Sequence, residues 1–351
     1  MSAQSTTGRG RTAEKPVVAV IGCGAITEAL HLPALSRHPD VISRAICVDP
    51  NLDRAQAMAT KFGASRAVER YEDVIGDIDG AIVAVPPSLH YGVTLSLVNR
   101  QVNVLCEKPL TETGEQARDV IARAAQTGAA LCVNNYRRLY PSSIKTKELI
   151  ETGALGTVRQ FEFSWGEKFD WPAASGSYFG LAAGGRGVLA DKGSHLLDLA
   201  CWWLGGKPDI TSYEDDSMGG TEAAATLKFR IKECEGVLRL SWLSRYENTF
   251  EIEGDRATVT GHLFDWNTLG LQMSGSADRR TLRLPTAAKI PEDLGSSMID
   301  NFLDVLRGHA VPVVAGADVL PSIELIDECY ARRRRMSLPW YDSWRRIAAQ
   351  S

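Results

Sequence analysis

The sequence predicts two units in series: an α/β unit with a doubly wound parallel sheet, then an α+β unit on a mostly antiparallel, open-faced sheet flanked by helices. Three observations point there. A glycine turn joins a buried apolar run to a helix-like segment. Strand-like and helix-like segments then alternate as far as residue 133, and beyond about residue 135 the apolar spacing changes to alternation along short strands.

Val17-Val18-Ala19-Val20-Ile21 is an unbroken apolar run, and Gly22-Cys23-Gly24-Ala25-Ile26-Thr27 follows it directly. Glu28 to Ser36 reads as a helix, and Arg44 to Val48 as a second strand that ends in Asp49. Gly22 permits the tight turn, and Gly24 lets backbone N–H groups approach a pyrophosphate with no Cβ in the way. The positive end of the following helix faces that pyrophosphate. Asp49 is placed to accept hydrogen bonds from a ribose diol. Its charge favours NAD over NADP, although Arg54 lies close enough in sequence to leave room for the 2′-phosphate. Thr27 stands where the third glycine of G-x-G-x-x-G usually falls, so helix and strand are expected to pack slightly less closely. An ordinary β-turn-α junction and a methyl-donor site use similar glycines and remain the rival readings of this stretch.

The alternation continues in order. Asp53 to Phe62 reads as a helix closed by Gly63, Gly80 to Val85 as a buried strand stopped by Pro86-Pro87, and Tyr91 to Asn99 as a helix. Val102 to Cys106 is a strand running into Glu107-Lys108-Pro109, Glu115 to Gln126 a helix, and Ala130 to Val133 one more strand. Continuous apolar strands between helices imply a parallel sheet covered on both faces, with ligands bound beyond the carboxyl ends of its strands. Gly22, Asp49, Pro86, Lys108 and Asn135 all fall at those ends. Pro141 to Thr152 then reads as a linking helix. Alternating runs follow at Val158–Trp165, Ala223–Phe229, Val237–Trp242, Thr249–Glu253 and Ala257–Thr260, with a helix over Val188–Leu204 and closing helices near Asp293–Arg307 and Val319–Arg335. The expected division is a tail over 1–15, a dinucleotide-binding domain over 16–135, a substrate-binding and oligomerisation domain over 136–340, and a tail over 341–351.

A chain of 351 residues suits two domains, and 44% apolar with 23% charged residues is an ordinary globular composition. A net charge of −4 gives no general attraction to nucleic acid or to an anionic membrane. Seven cysteines without a C-x-x-C pair argue against a zinc site or a disulfide framework, so no metal is expected. The polar start of the chain has no apolar core of a signal peptide, and there is no apolar run of membrane-spanning length; a cytoplasmic setting is the default expectation. Arg332 to Arg335 is the one basic run, expected on the wet side of the last helix.

Lys108 leaves an apolar strand at the ligand-binding edge and precedes a proline whose bond could be cis and fix its direction. A desolvated lysine there exchanges a proton with a substrate hydroxyl more readily; a solvated sheet-edge charge is the plainer alternative. Asp191, His195 and Asp198 are spaced to share one helix stripe, where a carboxylate one turn away would set the imidazole tautomer. Such a pair is also commonly structural. Gly184-Gly185-Arg186-Gly187 ahead of that helix could admit a ligand. Trp165, Glu167, Trp171 and Tyr178 offer aromatic faces for sugar C–H groups and a carboxylate for vicinal hydroxyls, or else simply core contacts.

From about residue 16 to 340 the chain resembles the glucose–fructose oxidoreductase/inositol dehydrogenase (GFO/IDH/MocA) family. The resemblance rests on Gly22-Cys-Gly24 with Asp49, Val85-Pro86-Pro87-Ser88-Leu89-His90, Cys106-Glu107-Lys108-Pro109, Asn135-Tyr-Arg137-Arg138 and Asp191-Lys-Gly-Ser-His195-Leu-Leu-Asp198. It implies an N-terminal Rossmann domain and a C-terminal open sheet through which subunits pair as a homodimer or homotetramer. It also implies Lys108, Asp191 and His195 as the catalytic set, with His195 as acid/base on the reacting hydroxyl. Carried onto these motifs, the cofactor contacts are Gly22, Gly24, Ala25, Ile26, Asp49, Arg54, Pro86, His90, Glu107 and Lys108. The substrate contacts are Lys108, Arg138, Trp165, Tyr178, Asp191 and His195. Asn134 and Tyr136 depart from the common pattern. The implied reaction is hydride transfer between NAD(P) and a carbinol carbon of a sugar, cyclitol or sugar nucleotide. The alternatives are NAD-dependent glycoside hydrolysis on the same fold and a non-catalytic dinucleotide sensor.

Overall fold

The computed structural model describes residues 13–169, 186–217 and 220–337, apart from the side chains of 291 and 292. Both expected tails beyond these limits, Trp171, Tyr178 and Gly184-Gly185 lie outside the described residues. β1 (Val18–Ile21) is buried at every position, as its continuous apolar sequence requires. It runs into the glycine turn, where Gly22 has φ +98° and a Cβ would meet the Ala84 carbonyl oxygen at 2.4 Å, so only glycine fits. A wide π turn (Thr27–His31) leads into α1 (Leu32–Ser36), and Thr27 Oγ1 donates back to the Gly22 carbonyl at 2.5 Å. The third-glycine substitute thus ties the helix to the turn.

α2 (Pro39–Ile42), β2 (Ile46–Val48), α3 (Leu52–Phe62) and β3 (Arg66–Val68) follow, then β4 (Gly80–Val83), α4 (Pro87–Val98), β5 (Asn103–Cys106), α5 (Gly114–Thr127) and β6 (Leu131–Val133). Asn51 caps α3 by accepting from the Arg54 N–H, and Thr113 caps α5 by accepting from Gln116. The six strands lie in the order β3-β2-β1-β4-β5-β6, all parallel. The order reverses direction between β1 and β4, which opens a crevice at their carboxyl ends.

α6 (Pro141–Glu151) leads to β7 (Val158–Gly166), α7 (Ser194–Leu204), β8 (Asp209–Asp215), β9 (Ala224–Ile231), β10 (Cys234–Ser241), β11 (Thr249–Gly254), β12 (Ala257–His262), β13 (Thr268–Met273) and β14 (Arg279–Arg283). α8 (Pro291–Arg307), α9 (Gly316–Ala331) and β15 (Arg334–Arg335) close the chain. Among the described residues the second sheet has nine strands in the order β14-β13-β12-β11-β7-β10-β9-β8-β15, antiparallel except at β7–β10 and β8–β15. Phe161, Phe163, Leu227, Leu238, Leu240 and Ile252 face α7, whose buried Trp203 stacks within 5.8 Å of Phe163. The opposite face carries charged pairs such as Arg239–Glu162. Among the described residues no helix is long and apolar enough to cross a membrane.

Two expectations need correction. The chain does not stay in its second half after residue 136: Met298, Ile299, Phe302, Leu303 and Leu306 of α8 belong to the first core, and α9 contributes Val319 and Ile323 to the first core and Leu325, Ile326 and Cys329 to the second. The cause is packing, since the returning helices bury apolar side chains against β4 that the sheet would otherwise leave wet. The last helix also stops before the basic run. Buried Asp215 and Glu222 draw Arg333 inward, at 2.6 and 3.1 Å, and Arg334–Arg335 pair alongside β8. The neighbouring β3, β8, β13 and β14 had no clear apolar signature in the sequence.

Phe302 is fully buried. Replacing it with Ala should cost about 3–5 kcal/mol of unfolding free energy, read by denaturant titration, because the cavity lies between α8 and the first sheet. A change below about 1 kcal/mol would contradict this placement of α8.

Candidate active site

The cofactor side of the crevice is built at the ends of β1, β2 and β4. A Cβ on Gly24 would meet nothing within 4 Å, so the loop presents open space where a diphosphate would lie. Gly24, Ala25 and Ile26 are half-buried on that rim, and Pro86 is exposed at the start of α4. Asp49 is 6% exposed; one oxygen accepts from Cys23 N–H at 2.9 Å and the other from Asn51 N–H at 2.8 Å. These bonds fix the glycine loop to the end of β2. The Arg54 guanidinium lies 3.6 Å from the same carboxylate. The open loop front, the half-buried rim and the acid at the strand end fit a dinucleotide.

Two of the expected cofactor contacts turn inward instead. His90 is buried, with Nδ1 2.7 Å from the Pro109 carbonyl and Nε2 2.8 Å from the Val85 carbonyl, so neither ring nitrogen is left for a ligand. Burial depresses its pKa, and the nearby carbonyls only partly offset that. Glu107 is also buried: it accepts from Asn134 Nδ2 at 2.6 Å and from Lys108 N–H at 3.1 Å, and lies 3.0 Å from His31 Nε2. Burial works against the Glu107 carboxylate, but His31, Asn134 and the Lys108 charge outweigh it and hold its pKa below the ordinary value. Both side chains brace the β5 terminus from which Lys108 projects. His31, fully buried in the first π turn, had no separate signal in the sequence.

The reaction side joins the two halves. The Lys108–Pro109 bond is cis. Lys108 Nζ lies 3.1 Å from Asp191 Oδ1 and 3.4 Å from the Asp191 carbonyl, and both side chains keep partial exposure, 19% and 25%. Asp191 sits in a π turn, Leu189–Gly193, that leads into α7. The wider winding breaks the α-helical i,i+4 stacking expected of Asp191 and His195. Asp191 therefore pairs with Lys108, while His195 Nδ1 is buried without a partner among the described residues. The expectation that Asp191 sets the imidazole tautomer is corrected accordingly. Burial, then the charges of Lys108 and Arg137, drive the His195 pKa well below the usual imidazole value. The ring is held between Trp165 and Tyr136, centroids 6.1 and 6.2 Å away.

Asp198, the third member of the expected stripe, is also spent elsewhere. Arg138 clamps it with Nε and Nη2 at 2.8 and 2.6 Å, and Nη2 also donates to the Asp318 carbonyl at 2.9 Å. Arg138 is therefore a buried tie between α7 and α9, not a substrate contact. Trp165 is buried as well. Its Nε1 donates to Glu167 at 2.8 Å, and the Arg137 guanidinium and Lys192 ammonium lie 4.5 and 5.1 Å from its centroid. It is a packed wall of the site more than an open stacking face.

Glu222 was not foreseen. Fully buried, its Oε1 accepts from Gly187 N–H, Leu189 N–H and Tyr330 O–H at 3.0, 3.1 and 2.7 Å. A Cβ on Gly187 would meet the Glu222 carbonyl oxygen at 1.9 Å, so this approach needs glycine. The carboxylate thereby anchors the start of the turn that aims Asp191.

The two depressed histidines set the sign of a pH effect. His90 and His195 take up a proton less readily in the fold than in the unfolded chain, which protonates as pH falls through about 6.5. Stability should therefore fall as pH drops below about 6.5, and denaturant midpoints at pH 7.5 and 5.5 check it. An equal or higher midpoint at 5.5 would contradict the burial of these rings.

Residues 17–135 match the GFO/IDH/MocA family described as "Oxidoreductase family, NAD-binding Rossmann fold", and residues 144–260 match the GFO/IDH/MocA C-terminal domain. A putative UDP-kanosamine synthase oxidoreductase subunit from Amycolatopsis mediterranei is 31% identical over 364 residues, covering 92% of this chain and 98% of its own length. D-glucoside 3-dehydrogenase of Escherichia coli is 29% identical over 190 residues, 54% of each chain. With that enzyme and two uncharacterized Schizosaccharomyces pombe oxidoreductases, the match spans about half of the relative's length, 53 to 54%. The solved structure of levoglucosan dehydrogenase superimposes with a TM-score of 0.79 at 18% identity, over 90% of this chain and 96% of that one. The 3-ketoreductase from Actinomadura kijaniata gives 0.77 at 20% identity, over 93% and 100%. At these identities the structures share the fold. Matches over both halves make the chain a member of the GFO/IDH/MocA oxidoreductase family, with an NAD-binding Rossmann domain at its N-terminal end.

Proposed function

We propose that the protein is an NAD(P)-dependent oxidoreductase acting on a carbinol carbon of a sugar, cyclitol or sugar nucleotide, with Lys108 and His195 relaying the hydroxyl proton. The observation that carries this reading is the 3.1 Å contact of Lys108 Nζ, from the end of β5, with Asp191 Oδ1, from the turn that starts α7. A polar pair drawn from two domains, beside a buried neutral imidazole and next to a dinucleotide crevice, is an acid–base site for an alcohol. Relatives named D-glucoside 3-dehydrogenase, levoglucosan dehydrogenase and D-apiose dehydrogenase agree with a polyhydroxylated substrate.

Bound nicotinamide supplies a C4 that accepts or donates the hydride. The protein's own contribution is orientation and proton handling. Asp49 holds the glycine loop in place and favours an unphosphorylated ribose, hence NAD. The Lys108 ammonium, held by Asp191, donates a hydrogen bond to the substrate hydroxyl oxygen and stabilises negative charge developing there. His195, kept neutral by burial and by two neighbouring cations, accepts the proton during oxidation and returns it during reduction. The polar open face of the second sheet, with Glu162 and Arg239, is the surface through which copies would pair as a homodimer or homotetramer.

The test is a panel of sugars, inositols and sugar nucleotides with NAD⁺, followed at the reduced-nicotinamide band. Accumulation of reduced cofactor supports the reading; aglycone release without net absorbance change would replace it with glycoside hydrolysis. Lys108→Ala should lower kcat by about 10²- to 10⁴-fold while dinucleotide still binds. Near-normal kcat in that variant would remove Lys108 from the reaction.

A further inference from the structure

Arg137 differs from every other buried cation of the site. It is 6% exposed, and among the described residues no carboxylate pairs with it. Its Nη1 donates to the Leu263 carbonyl at 2.7 Å, and its buried Nε has no acceptor among the described residues. The rest of its surroundings is aromatic, with the guanidinium carbon 4.5 Å from the Trp165 centroid, 5.5 Å from Tyr140 and 5.8 Å from Phe264. Next to it in sequence, Arg138 has the opposite situation, both arms spent on Asp198.

The charges around His195 make the imbalance explicit. Lys108 pairs with Asp191, and Lys192 lies 3.0 Å from Glu167. Arg137 is the third cation of the group, and among the described residues no third carboxylate answers it. Ring faces return only part of what a guanidinium loses on leaving water, and one carbonyl needs one N–H, not a fork of five. A buried charge left uncompensated beside reacting groups points to a ligand that brings the counter-charge. The Trp165 ring contacts both Arg137 and His195, which sets the charge beside the reacting groups.

We propose that Arg137 is an oxyanion anchor: the polyhydroxylated substrate carries a carboxylate or phosphate group that seats on the free edge of this guanidinium and brings the reacting carbinol to Lys108 and His195. This rests on the functional reading above and narrows its substrate class to acidic sugars. Planar carboxylate and tetrahedral phosphate both match the guanidinium edge, so the chemistry is shared and the source is a matter for experiment.

The experiment is calorimetric titration of the full-length protein, saturated with NADH, with D-glucose, D-glucuronate and glucose 1-phosphate. One of the two anions should bind at least about tenfold more tightly than glucose, and which one does so identifies the source. Arg137→Gln should abolish that preference and Arg137→Lys should restore part of it; the latter keeps the charge should the former fold poorly. Equal affinity for all three probes, no binding of any, or a preference that survives Arg137→Gln overturns the anchor. Reduced cofactor formed from neutral sugars with no anion preference leaves the oxidoreductase reading standing without it. An Arg137-dependent preference with no turnover of any sugar does the reverse.

Discussion

The contact between Lys108 and Asp191 is where the two sheets of this molecule become one site. Neither side chain is placed by its own domain alone. Lys108 owes its position to β5, buried on both faces, and to Glu107 and His90, which occupy the interior just behind it. Asp191 owes its position to a π turn whose first N–H groups are held by Glu222, which in turn is held by Tyr330 and Arg333 from the far end of the chain. α8 runs back to the first core, and α9 crosses the boundary and joins both cores. The geometry at the crevice thus depends on packing between the halves.

Polar burial follows a consistent physical rule around this point. A charge removed from water needs a partner or it destabilises the fold. Asp198 has Arg138, Glu107 has Asn134 and His31, and Asp215 and Glu222 share Arg333. These ties are the reason that several residues with site-like sequence signatures face inward. His195 takes the other course and stays neutral, and Arg137 is left without a counter-charge among the described residues.

The sequence revealed the elements whose physics is local. The apolar run of β1, the glycine turn, the Gly63 end of α3 and the alternation in β7, β9 and β10 all came through, because burial on one or two faces imprints a period and glycine marks a helix end. Lys108, Asp191 and His195 were legible as motif members, but their partners were not. The pairing of Asp191 with Lys108 instead of His195 depends on a π turn that no residue period marks. His90, Glu107 and Arg138 carry the same residue types as ligand contacts, and only three-dimensional bonding assigns them to the interior. Glu222 stands 31 residues from Asp191 in sequence and lies in no motif; tertiary bonding to Gly187, Leu189, Tyr330 and Arg333 brings it under the turn. β8, β13 and β14, toward the two ends of the second sheet, are too polar for their spacing to stand out.

The 3.1 Å contact between Lys108 and Asp191 implies that the two act as one unit. A double-mutant cycle on kcat, with Lys108→Met, Asp191→Asn and the pair together, measures this directly. Strong non-additivity is the predicted result, the double variant losing little more than the worse single one, since removing either partner already disables the pair. Losses that simply multiply would show two independent groups and contradict the convergence of the two domains on one alcohol.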